Sequence, residues 1–293
     1  MISSSEQAMV VVLGTGSIGM QHAAMLKDLG YEPVLISVRE TQREKLKAAG
    51  WSVAASLEDE CVQRAECCII ATETKRHVDD AILATSLGFR VLVEKPLGVS
   101  SIDVKRLSNE LECGDLAKLR VVCPLRWYQG IVELAGLKKK LGSIHSVNIC
   151  CQSYLPDWRP NRDYRESYSA SIEQGGVVRD LVHEIDYCNY LFGLPSTDEL
   201  QIVGSNGAQI GVAATSNALL SWCSDDGCLV SVQLDYLTRG ARRSISVYGE
   251  HGEIYVDLIN GNLTCSLVDG EKMELKVESD RDVAMRKMLE SFL

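Results

Sequence analysis

No apolar run in this 293-residue chain approaches the ~18 residues of a membrane-spanning helix, so no span is expected. Basic charge is also in deficit. Thirty Lys and Arg stand against 40 Asp and Glu, a formal net charge of −10. A nucleic-acid surface needs a basic face, so that class of partner is excluded. The opening MISSSEQAMVVV has no basic segment followed by a long apolar one. No secretory leader is expected, and a cytoplasmic location follows. Cysteine is plentiful at 11 residues, but metal-ligand spacing is missing. There is no CxxC and no Cys/His pattern, and Cys67–Cys68 and Cys150–Cys151 are adjacent pairs in strand-like runs. Buried reduced thiols and no metal are the expectation. Internal repeats and low-complexity segments are absent as well. What is present, 46% apolar residues, can fill two cores, and the length suits two domains of ~100–200 residues.

The first of these domains is announced by the string VVVLGTGSIG, Val10 to Gly19. A GxGxxG string has meaning only after a strand and before a helix. Here Met9 to Leu13 is an apolar run, and Ile18 to Leu29 carries apolar residues at helical spacing. Gly14 allows a tight turn, Gly16 lets the backbone approach a pyrophosphate, and Gly19 lets helix and sheet pack closely. The helix N-terminus at Ser17 and Ile18 offers N–H groups and a positive dipole end to phosphates.

Strand and helix alternate over the first 120 residues, which implies a parallel sheet. Strands are expected at Met9–Leu13, Pro33–Ser37, Cys67–Ala71, Arg90–Glu94 and Leu119–Cys123. Helices are expected at Ser17–Leu29, Arg43–Ala49, Leu57–Gln63, His77–Leu87 and Ser101–Cys113, the last capped by Ser100 or Ser101. After a helix at Tyr128–Leu141 ended by Gly142, the pattern changes. Ser143–Cys151 and Gln201–Val277 read as strand after strand between Gly, Asn and Asp turns, with one helix at Gly175–Phe192 and another from about Asp280. The fold class is thus an α/β Rossmann domain over residues 1–123 and an α+β domain with an open, largely antiparallel sheet over 124–293.

GTGSIG, IIATETKRH (Ile69–His77), VEKPLG (Val93–Gly98) and QGGVVRDLVHEIDYCNYLFG (Gln174–Gly193) together give the chain a family resemblance. It resembles the glucose-fructose oxidoreductase / inositol dehydrogenase (Gfo/Idh/MocA) family over nearly its whole length. The resemblance implies that Thr72, His77, Glu94 and Lys95 line the cofactor and that Lys95 is the catalytic lysine. YLPDWRPNRDYRESYSA (Tyr154–Ala170) further resembles members associated with sugar metabolism and surface polysaccharides. The family's triple glycine is Gln174-Gly175-Gly176 here, and Asp180 lies three residues before His183 where the family pattern has four.

The residues can also be read without the family. Lys95 falls at the carboxyl end of a parallel strand, where α/β sheets bind ligands, and its ammonium can hydrogen-bond a hydroxyl or carbonyl. A lysine snorkelling beside a strand end is the other reading. His183 has Asp180 at i−3 and Asp186 at i+3 on one helical face. A histidine with a pKa near ~6.5 can take the proton of an alcohol while hydride leaves the same carbon. On spacing alone a salt-bridged surface stripe is the favoured reading; with the resemblance, His183 is the proton acceptor and Asp180 its carboxylate.

Cofactor choice is read at the end of the second strand. An NAD site usually places Asp or Glu there for the ribose 2′-OH, but this chain has Ser37, Val38 and Arg39. Ser37 can donate to a 2′-phosphate and Arg39 can pair with it, so NADP is favoured over NAD. Arg39 stacked on adenine, or Glu40 brought inward by a register shift, would leave NAD open. Arg126, Trp127, Trp158, Arg159 and Tyr164 are candidate contacts for a sugar, sugar acid or nucleotide sugar, with Tyr154, Arg162, Arg165 and Tyr168 close in sequence. An aromatic loop over the crevice or at a subunit interface fits them equally. The expected activity is an NAD(P)-dependent sugar oxidoreductase; a dinucleotide-binding sensor without turnover is the alternative. A homodimer or homotetramer through the second domain's sheet is expected.

Overall fold

The computed structural model describes residues 7–173, 175–195 and 198–293. Gln174, part of the string that carries the resemblance, lies outside them, as do the first six residues. The chain divides into two units. One runs up to Val122 and includes Met288–Leu293; the other is Cys123–Lys287. The composition change suggested a boundary after residue 123, with everything beyond it in the second domain.

In the first unit, β1 (Met9–Leu13), β2 (Glu32–Ile36), β3 (Ser52–Ala54), β4 (Cys67–Ile70), β5 (Arg90–Val93) and β6 (Leu119–Val121) form a parallel sheet in the order β3-β2-β1-β4-β5-β6. Helices α1 (Ser17–Asp28), α2 (Glu40–Ala48), α3 (His77–Ser86), α4 (Ser101–Glu110) and α5 (Cys113–Leu116) connect them. Val10–Val12 and Cys67–Ile70 are buried without alternation, as in a sheet covered on both faces. Ser100 caps α4 in a reciprocal box with Asp103. Register is what builds the ligand edge. Leu13 is level with Ile36 and Ile70, and Ile70 with Val93. Gly14, Ser37, Ala71 and Glu94 therefore leave the sheet side by side at its carboxyl edge.

Two local expectations fail here. The three-residue β3 was not foreseen, and the helix expected over Leu57–Gln63 shrinks to one turn at Glu60–Val62. Asp59 accounts for the second. Its carboxylate accepts the Ala55 N–H at 2.7 Å and the Ser56 hydroxyl at 2.9 Å, offering the backbone a turn in place of a helix.

The second unit contains α6 (Gln129–Leu137), β7 (Ile144–Tyr154), α7 (Val177–Asp180), α8 (Val182–Phe192), β8 (Gln201–Gly207), β9 (Val212–Cys223), β10 (Leu229–Asp235), β11 (Leu237–Gly249), β12 (Gly252–Asp257), β13 (Asn262–Leu267) and β14 (Lys272–Lys276). α9 (Arg281–Phe292) begins here, and its last turn belongs to the first unit. The strands make one sheet in the order β14-β13-β12-β11-β7-β10-β9-β8, antiparallel throughout except for the parallel pair β7 and β10. Alternate residues of β9 are buried on the face that α7 covers.

The single helix expected over Gly175–Phe192 is two. Leu181, at φ −95° and ψ 30°, breaks the ladder, and the Glu184 N–H bonds the Leu181 carbonyl three residues back. Val177, Leu181, Cys188 and Leu191 are all buried and keep helical spacing across the break. Apolar periodicity is therefore blind to it. No helix among the described residues is long and apolar enough to cross a membrane. No group of three or more His, Cys, Asp or Glu among them could hold a metal ion.

Candidate active site

The three loop glycines do different jobs. Gly14, at φ +109°, sits where a Cβ would come within 2.5 Å of the Ala71 carbonyl oxygen. A Cβ on Gly19 would lie 2.0 Å from the Gly14 oxygen. These two glycines permit the close packing of the β1–α1 turn. Gly16 is different: a Cβ there meets nothing within 4 Å. It is the N-cap of α1, with no side-chain cap and no acidic residue in the first turn. The first-turn N–H groups at Ser17 and Ile18 have no intrahelical acceptor and both residues are exposed, which suits a diphosphate. Valine fits the extended backbone of Gly16 (φ −73°, ψ −177°) without strain. Gly16→Val should therefore keep the melting temperature while weakening dinucleotide binding more than tenfold, about 1.4 kcal/mol or more, in a fluorescence titration. Unchanged affinity would place the phosphates elsewhere.

At the end of β2, Ser37 is half-buried, while Val38 and Arg39 are exposed, Arg39 as the N-cap of α2. Arg43, which the sequence reading did not single out, donates from Nη1 to the carbonyls of Ser37 (2.8 Å) and Val38 (2.9 Å). It clamps the turn that presents both side chains. Glu73 is held below the ordinary carboxylate range by its bond to Lys75 first, with Arg76 and Arg39 adding positive potential.

Beyond β4, the side chains tie loops together. Thr72 Oγ1 donates to Asp80 at 2.7 Å, and Arg76 holds the other Asp80 oxygen at 2.8 Å. His77 is buried, with Nδ1 2.8 Å from the Pro96 carbonyl and Nε2 3.0 Å from that of Thr72. Its ring nitrogens are thus both engaged by the protein, and it bears on the ligand edge through those two loops. The Lys95–Pro96 bond is cis, and Lys95 is half-buried. Glu94 accepts the Lys95 N–H at 3.3 Å and lies 2.7 Å from Nε2 of His22, a buried residue of α1 that the sequence reading passed over. Seventy-two positions separate that pair, so no spacing rule reaches it.

In the second unit the expected stripe of Asp180, His183 and Asp186 is divided. Asp180, on α7, is buried and accepts from the Tyr236 hydroxyl at 2.5 Å. Burial, then the Asp180 charge, raises the Tyr236 phenol above its ordinary range, so it stays a donor. His183 lies in the first turn of α8, half-buried. Asp186 is held by both arms of Arg126, at 2.8 and 2.5 Å, and Arg126 also stands over the Tyr190 ring. That bond to Asp186 is the main reason the guanidinium is held above its ordinary pKa.

The aromatic segment is tied mainly to other parts of its own unit. Trp158 packs edge-on against Tyr236 at 5.3 Å and donates to Ser153. Tyr164 donates to the Ile210 carbonyl, Arg165 pairs with Asp163, and Trp127 packs against the core. Arg159, Arg162 and Tyr168 are exposed. Deeper in this unit, Glu184 is fully buried and takes two hydrogen bonds from Arg243 of β11, at 2.6 and 3.3 Å.

Residues 8–115 match an oxidoreductase family with an NAD-binding Rossmann fold, and residues 137–255 match the GFO/IDH/MocA C-terminal domain. The chain belongs to the Gfo/Idh/MocA oxidoreductase family. Among relatives of this Gfo/Idh/MocA chain, an uncharacterized oxidoreductase of Streptococcus pneumoniae serotype 4 is 23% identical over 92% of this chain and 74% of its own. Levoglucosan dehydrogenase, solved with NADH and levoglucosan, aligns over 98% of this chain and 88% of its own at 17% identity and a TM-score of 0.77. UDP-N-acetylglucosamine 3-dehydrogenase from Acidithiobacillus ferrooxidans aligns over 98% and 90% at 14% identity and a TM-score of 0.74. At these identities the two structural likenesses are likenesses of fold.

Proposed function

We propose that this oxidoreductase is a dehydrogenase or reductase that acts on a hydroxyl-bearing carbon of a sugar, sugar acid or nucleotide-linked sugar, with NADP preferred over NAD. The observation that carries the cofactor part is the turn after β2. It has no carboxylate at positions 37 to 39, two carbonyls pinned by Arg43, and an exposed Arg39. Gly16, Ser17 and Ile18 would hold the diphosphate, and Ser37 and Arg39 the 2′-phosphate. The bound nicotinamide supplies the hydride acceptor or donor. Lys95 hydrogen-bonds the reacting oxygen and His183 takes up or returns its proton, with Asp180 fixed nearby in the chain by Tyr236. The sugar class rests on the Tyr154–Ala170 segment and on the named activities of the two solved relatives.

Charge-assisted hydrogen bonds contribute ~1.5–3 kcal/mol each, so NADPH should bind at least tenfold more tightly than NADH. Raising the salt should weaken NADPH more, since screening acts on the additional phosphate charge. Val38→Asp with Arg39→Ala should invert the preference. Equal affinities in a fluorescence titration at low and high salt would leave Arg39 only an adenine contact. A screen of sugars and nucleotide sugars for NADPH absorbance change tests the substrate class.

The outer face of the second unit's sheet exposes Leu219, Leu229, Tyr248 and Tyr255. A second copy covering that face through a two-fold axis is the reading we favour. Sedimentation at micromolar concentration should give a dimer or tetramer; a monomer alone would reject it.

A further inference from the structure

The carboxylate of Glu94 emerges at the same sheet edge as Gly14, with β4 between them, and meets α1, the helix whose N-terminus suits a diphosphate, at His22. A carboxylate loose at that edge would lower the potential at the helix N-terminus and disfavour phosphates bound there. Here both of its oxygens are occupied by the protein. Oε1 lies 2.7 Å from His22 Nε2, and Oε2 accepts the backbone N–H of Lys95 at 3.3 Å. His22 is 2% exposed, and its Nδ1 has no partner among the described residues. With a proton on Nε2 the ring donates to Glu94, its hydrogen-bond contact among the described residues.

We propose that His22 is a positioning residue: from α1 it holds the Glu94 carboxylate back against the Lys95 amide, keeping that charge off the bound phosphates and the backbone at Lys95 fixed. The inference rests on dinucleotide binding and on neither the sugar nor the NADP preference. It also accounts for a buried histidine on the helix capped by Gly16 that meets the residue before Lys95.

A double-substitution cycle read in the dissociation constants of NADH and NADPH tests it, with thermal melting to report the fold. His22→Leu should weaken both cofactors about tenfold or more, because the carboxylate is released. His22→Gln, whose amide can donate to Glu94, should stay within about threefold of the wild type. A packing role predicts the reverse order, since leucine suits a buried site better than glutamine. With Glu94→Gln the charge is gone, so adding His22→Leu should change affinity by less than about threefold. If His22→Leu fails to fold, His22→Asn, whose amide is too short to span the gap, takes its place. Three results would overturn the proposal: His22→Leu binding like the wild type, His22→Gln as weak as His22→Leu, or a full loss on adding His22→Leu to Glu94→Gln. Because only cofactor binding is read, a failed sugar screen and a failed cycle are separate outcomes.

Discussion

Glu184→Ala should destabilise the second unit by about 3–5 kcal/mol, because it leaves the Arg243 guanidinium in the interior without its counter-charge. The carboxylate is fully buried and held through two hydrogen bonds. Burial works against the Arg243 cation, and the Glu184 charge and hydrogen bonds, with Cys151 and Tyr187 adding to them, together hold the guanidinium above its ordinary range. Neighbouring Tyr187 reports the same dry surroundings, its phenol pushed well above the ordinary range by burial. Replacing both partners with apolar residues of similar volume (Glu184→Leu with Arg243→Met) should cost far less, since no charge is stranded. Three of the four tryptophans, Trp127, Trp158 and Trp222, lie between Cys123 and Lys287, so in a Trp51→Phe background tryptophan fluorescence in a urea titration follows this unit. A single variant as stable as the wild type would mean that water reaches the pair.

Lys95→Ala should lower turnover by about 10²–10⁴-fold, the range for a lost proton-transfer or hydrogen-bonding group at a reacting oxygen. Dinucleotide affinity should remain within a few-fold. Lys95 lies at the carboxyl edge of β5, and its backbone N–H is held by Glu94, which His22 also holds. Lys95→Arg should not restore the rate, because a planar, bulkier guanidinium does not place one donor where the ammonium was. Turnover of the alanine variant equal to the wild type, with any sugar that the screen identifies, would remove Lys95 from the chemistry.

The parallel core was legible because β1, β4 and β5 are short apolar runs set between helices, a pattern visible in the order of the residues. The ligand edge was legible for a related reason: Gly14, Ser37 and Glu94 each follow such a run, and parallel strands in register align their ends. What stayed hidden depends on tertiary geometry. Arg43 clamps two carbonyls through nothing more distinctive than an arginine near a helix start. His22 with Glu94 and Glu184 with Arg243 pair across 72 and 59 positions. Asp180 and Asp186 looked like partners of one helical face, yet the turn at Leu181 and the competing donors Tyr236 and Arg126 send them to separate contacts.

The polypeptide crosses from one unit to the other twice, since Met288–Leu293 belongs with the residues before Cys123. Leu289 and Phe292 are buried there, and Arg90 of β5 donates to the carbonyls of Phe292 and Leu293, 202 and 203 positions away. On the ribosome, at ~5–20 residues per second, Arg90 emerges roughly 10–40 s before those partners. For that interval the nascent first unit carries an uncovered apolar seam beside an unneutralised helix-capping cation. Its final closure is therefore timed by synthesis of the second unit rather than by its own folding rate.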